Sequence, residues 1–183
     1  MQGADMNPMS SQIATRGNDS DRQALSAFIE ALVMLSRTRD YNAVAAPFAG
    51  FQNLNEEHNS GGTFRVHGKS IYNVIIHLDR TEDLPHTHTS QVGNLGLLFE
   101  TGAVTLADVQ EILGDWYRDP VDGVQASFAD AYFNPKVIAP EADYLLCAST
   151  QEDFVEELEP GSPVEMISAA WQDNRYDKAN RPW

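Results

Sequence analysis

The segment Ile71 to Leu78 (IYNVIIHL) carries apolar side chains at both odd and even positions. Successive side chains of an extended chain point to opposite faces, so a strand built this way has to be covered on both sides. Tyr72, Val74, Ile76 and Leu78 share one face, and Ile71, Ile75 and His77 share the other. That pattern places the strand inside a sheet rather than at its edge. Thr63 to His67 precedes it across Gly68 and Lys69, and the two segments read as a hairpin.

Other elements follow from the same periodicities. Leu25, Phe28, Ile29, Leu32 and Val33 recur at the spacing of one helical face. Ser20 and Gln23 ahead of them fit a capping box, and Arg37 and Arg39 suit the negative pole of the helix end. A short continuation from Asn42 to Ala46 should stop at Pro47. Thr105 and Asp108 open a second helix whose stripe is Leu106, Val109, Ile112, Leu113 and Trp116. The run DPVDG, residues 119–123, then reads as a turn. Asn94 to Glu100 and Ala142 to Ser149 read as strands, while Val124 to Phe133 fits either period. Ser162, Pro163 and Glu165 predict the start of a last helix carrying Ile167, Ala170 and Trp171.

These elements predict an α+β fold: one domain with a small, mostly antiparallel sheet packed with about three helices. Residues 1–19 are polar and aperiodic and are read as a flexible N-terminal arm. Residues 20–183 form the globular part, with a loose tail from about residue 173.

Charge narrows the functional classes. The chain of 183 residues has a formal net charge of -15. Residues 100–183 hold 17 acids against 5 bases, whereas residues 1–99 hold 10 against 7. Binding to nucleic acid or to an anionic membrane draws on basic side chains, so both are disfavoured. No run reaches the ~18 continuous apolar residues of a membrane span. The first residues lack a basic start followed by an apolar stretch, and Cys147 is the single cysteine. Both features fit a cytoplasmic protein, or one built into a virion after cytoplasmic assembly.

The strongest chemical signal is the pair His86 and His88 in PHTHTS. Two residues apart in an extended segment, they point the same way and could ligate a transition metal, with His77 or Glu100 completing the site. The ordinary reading of the same segment is an exposed threonine-rich loop. Cys147, within YLLCA, reads as a small buried hydrophobe rather than a nucleophile. GNLGLL lacks the lysine and hydroxyl of a phosphate loop. The pairs Glu56/Glu57 and Glu82/Asp83 read as solvated surface.

QEDFVEELE, residues 151–159, is an acidic patch around Phe154, Val155 and Leu158. As a helix it would place those three on one face, a docking site for a basic partner with Trp183 as a further aromatic anchor. The expectation is therefore a non-catalytic interaction or assembly protein needing no cofactor. A virion or phage tail ring, an accessory subunit, a toxin-immunity protein and a chaperone-type binder all fit. Its partner would be a protein, basic in charge, or copies of itself. The competing expectation is a small metal-dependent enzyme using the histidine pair.

Overall fold

A computed structural model describes residues 7–55, 60–80, 88–118 and 129–171. Among them, eight strands form one open antiparallel sheet. They are β1 (Gln52–Asn53), β2 (Gly61–Arg65), β3 (Ile71–Arg80), β4 (His88–Phe99), β5 (Trp116–Arg118), β6 (Asp130–Phe133), β7 (Leu145–Thr150) and β8 (Val164–Ala170). Their order is β1-β2-β3-β4-β8-β7-β6-β5. The last strand thus inserts between β4 and β7, at the middle of the sheet. Four α-helices accompany it among the described residues: α1 (Gln12–Arg16), α2 (Asp19–Leu35), α3 (Tyr41–Ala45) and α4 (Leu106–Leu113). The α+β class holds, but the protein is mostly sheet, and the sheet is larger than expected.

One face of this sheet is the core face. Val74, Ile76, Leu95, Leu97, Ile167, Ala169, Leu146, Ala148, Ala131 and Phe133 all lie there, aligned by strand register and fully buried. The buried stripe of α2 (Leu25, Phe28, Leu32 and Leu35) joins the same cluster. Each such apolar side chain contributes about 1.5–3 kcal/mol on leaving water. Tyr144, just before β7, is buried and donates its hydroxyl to the Leu32 carbonyl at 3.1 Å, tying helix to sheet.

Local chemistry departs from expectation at five places. The cap of α2 is Asn18 with Asp21, not Ser20 with Gln23. Residues 8–16, assigned to a polar arm, fold into a 3-10 turn and α1 with Ile13 and Ala14 buried. Gln12 N donates to Glu111 Oε2 at 2.9 Å and Arg16 pairs with Asp108 at 2.6 Å, which holds this segment on α4. Trp116 does not extend the stripe of α4, because Gly114 takes φ +80° and ends the helix, releasing Trp116 into β5. The helix expected from Ser162 is β8, since pairing on both sides with β4 and β7 outweighs the local start signal. Residues 155–157 form only a single 3-10 turn rather than a helix.

The β3 pattern needs one change. An irregularity between Ile71 and Asn73 breaks the alternation, so Ile71 is buried in the core while Ile75 and His77 keep the opposite face. The turn at residues 119–123 and the tail beyond residue 171 lie outside the described residues.

Candidate functional site

The side of the sheet away from the core is the outer face, and strand register orders its residues in rows. One row crosses six strands: Arg65 on β2, Asn73 on β3, Leu98 on β4, Met166 on β8, Ser149 on β7 and Asp130 on β6. The next holds Ile75, Gly96, Ser168, Cys147 and Tyr132. Ile75, Leu98, Met166 and Leu145 are partly exposed and stand outside the core cluster. Gly96 keeps this face closely packed, because a Cβ there would meet Ile75 Cγ1 at 2.9 Å and Met166 Sδ at 3.1 Å.

Polar groups share the outer face with these apolar side chains. Ser149 Oγ donates to Asp130 Oδ1 at 2.7 Å. Asn73 Oδ1 is buried and has no hydrogen-bond donor among the described residues. Cys147 Sγ lies 3.2 Å from Ser168 Oγ and is 7% exposed. Burial, reinforced by the negative charge of Asp130, pushes the Cys147 thiol up to about 12 despite the Ser168 contact. A thiol held neutral in this way is a packing residue rather than a nucleophile.

A pH effect follows from that shift. The folded state holds the proton more tightly than the unfolded chain, so the thiol's contribution is complete below the ordinary value of 9.0 and is lost as pH rises toward 12. Urea midpoints should therefore fall from near pH 9 upward, by at most about 1.4 kcal/mol per pH unit from this group. Cys147→Ala should remove that component and leave the later loss from Tyr144, whose phenol is also raised by burial. An unchanged alkaline slope in Cys147→Ala would show that the thiol is not buried in the folded protein.

Of the expected histidine set, His77, His88 and Glu100 fall among the described residues. His88 opens β4 opposite Arg80, with Nδ1 3.3 Å from the Leu78 carbonyl oxygen. His77 is exposed on the outer face opposite Asn94. Glu100 follows the far end of β4, roughly 35 Å from His88 at the rise of a strand, and cannot share a metal with it. His86 lies outside the described residues. Among those described, no three His, Cys, Asp or Glu side chains gather as a metal site.

The acidic patch also resolves differently. Phe154 is 63% exposed, whereas Leu158 is 2% exposed and Val155 packs against the core. The three therefore do not form one docking face, because a single turn cannot present residues that a longer helix would align. Trp183 lies outside the described residues. Trp171 is partly buried, with the Arg39 guanidinium 5.0 Å from its ring centre.

Sequence reasoning found Ile75 and His77 on the outer face but missed the rest of it. Leu98 and Met166 become neighbours only through the insertion of β8, which the expected last helix concealed. Comparison with family models, curated proteins and solved structures finds no match to this chain. No described helix is long and apolar enough to cross a membrane.

Proposed function

We propose that this chain is a non-catalytic interaction or assembly protein. The observation that carries the reading is the outer face, where Ile75, Leu98, Met166 and Leu145 present apolar surface from the four central strands. Partly exposed apolar side chains of this kind suit a contact site better than a catalytic one where convergent ionisable groups are lacking among the described residues. A protein partner that buries the face gains hydrophobic area without disturbing the core face, which is closed by the helices. The net charge of -15 favours encounter with a basic partner and disfavours nucleic acid.

Native mass spectrometry of the purified chain and of a Leu98→Lys variant tests this. The expected result is a metal-free protein whose complexes, with a partner or with itself, are lost in Leu98→Lys while its thermal melt is kept. Complexes that survive Leu98→Lys unchanged would count against the outer face. Stoichiometric transition metal, lost in a His86→Ala, His88→Ala double variant, would replace this reading with the metal-dependent enzyme.

A further inference from the structure

Exposure across the outer face is uneven. On β2 and β3, the side chains of Thr63, Arg65, Ile75 and His77 are all at least partly exposed. On β6, β7 and β8, Tyr132, Cys147, Ser168 and Ala170 are buried. Strand register stands these four together: Tyr132, Cys147 and Ser168 share a row, and Ala170 lies opposite Leu145 in the next. Tyr132, Cys147 and Ala170 stand outside the core cluster, so their burial has a separate cause.

Small side chains on a sheet are hidden by their neighbours, but a tyrosine is too tall for that. Tyr132 stands between Tyr117 of β5 and Cys147 of β7, which screen its flanks and leave the top of the ring open. It is nonetheless only 7% exposed. The helices α1 to α4 lie against the core cluster through Ile13, Leu25, Val44 and Val109, on the other side of the sheet.

We infer that residues 172–183 (QDNRYDKANRPW) seat on the outer face over β6, β7 and β8 and cover Tyr132. They follow directly on Ala170 and Trp171, at the border of the buried patch. From β8 to β6 is two strand spacings, about 10 Å, and these residues extended reach ~40 Å. Charge fits the placement. Residues 100–171 hold 15 acids against 2 bases, whereas residues 172–183 carry Arg175, Lys178 and Arg181 against two acids. A basic segment is drawn to an acidic body, and Tyr176 and Trp183 bring the aromatic area that a patch around Tyr132 accepts. Residues 119–128, which lead into β6, hold two acids and no base and lack this complementarity. The contact goes beyond the partner reading, because it is made within one chain and neither requires the other. It leaves Ile75, Leu98 and Met166 as the part of the outer face that a partner can take.

Hydroxyl-radical footprinting of the full chain, read by peptide mass spectrometry over a dilution series, tests this. Tyr132 should be protected in the wild type to the same degree at every concentration, because the cover is intramolecular. In a Tyr176→Ser, Trp183→Ser double variant Tyr132 should oxidise about tenfold faster, the factor that losing an aromatic anchor carries. Tyr144 of the core should stay protected there. Should that variant expose Tyr144 as well, the charge reversals Arg175→Glu and Arg181→Glu together carry the test by the same comparison. Tyr132 as well protected as in the wild type, in whichever variant keeps Tyr144 protected, overturns the inference. So does a Tyr132 that oxidises freely in the wild type. Protection that fades on dilution overturns it too and assigns the cover to a second copy.

Discussion

Replacing Asp21 by alanine is expected to destabilise the protein by about 3–5 kcal/mol, a fifth or more of the stability of an ordinary domain. The side chain is fully buried at the start of α2. Its Oδ2 accepts from the backbone N–H groups of Asn18 and Lys69, each at 2.8 Å. Its Oδ1 accepts from those of Ser70 at 3.0 Å and Ile71 at 2.8 Å. One carboxylate thus closes the helix cap and fixes the turn between β2 and β3, some fifty residues away. Alanine would strand all four donors at a buried site.

The glycines around this carboxylate show how tightly it is held. A Cβ on Gly68 would lie 2.1 Å from Asp21 Oδ1 and 2.4 Å from the Ile71 carbonyl oxygen, so the turn passes only because residue 68 has no side chain. Asp21→Asn should cost nearly as much as alanine, since its amide nitrogen would be a donor turned toward donors. The melting temperature should drop by roughly 6–20 °C in either variant. Asp19→Ala is the control: that exposed side chain pairs with Arg22 on the surface and should cost at most about 1 kcal/mol. If Asp21→Asn melts with the wild type, the carboxylate is not the anchor.

Asp21 also marks the limit of what the sequence discloses. Ser20 and Gln23 satisfy the local rule for a cap as well as Asn18 and Asp21 do. The choice is made by Lys69, Ser70 and Ile71, which approach only when the hairpin has docked. The same holds at β8, where Ser162, Pro163 and Glu165 carry a helix-start signal. There, pairing with both β4 and β7 decides the outcome, and neither partner can be read from the segment itself. Where a segment settles its own structure, the periodicities sufficed: α2, the β2–β3 hairpin and the Thr105–Asp108 capping box all stand near their expected places.

The outer face was less legible for the same reason. Alternation along β3 sets Ile75 on one face, but the face itself is assembled from five other strands whose order is a long-range property. The histidines were visible as a motif because two of them adjoin in sequence. Yet adjacency along the chain says nothing about Glu100, which a long strand carries to the opposite end of the sheet.

Arg39→Ala should produce the second large loss, about 2–4 kcal/mol in urea denaturation. The guanidinium joins three parts of the fold. Its Nη2 pairs with Asp79 of β3, its Nε donates to the Val92 carbonyl of β4 at 3.0 Å, and its Cζ lies 5.0 Å from the ring centre of Trp171, just after β8. The surrounding backbone is arranged to suit it: Val92 N donates back to the Arg39 carbonyl at 2.7 Å, and Trp171 N donates to the Gly93 carbonyl at 2.8 Å. A Cβ at Gly93 would lie 2.1 Å from Asp79 Oδ1, so a side chain there would displace the carboxylate that pairs with Arg39.

The shape of the group matters as well as its charge. Arg39→Lys keeps the charge, but a compact ammonium at the end of a flexible stem lacks the planar fork that reaches Asp79, the Val92 carbonyl and the Trp171 ring together. It should therefore recover only part of the loss. A cycle with Asp79→Ala should show a coupling of about 1 kcal/mol or more, with modest dependence on salt because the arginine is largely buried. Arg39→Lys as stable as the wild type would mean that charge alone holds the junction. In that case the stacking on Trp171 and the bond to Val92 would be consequences of the fold rather than causes of it.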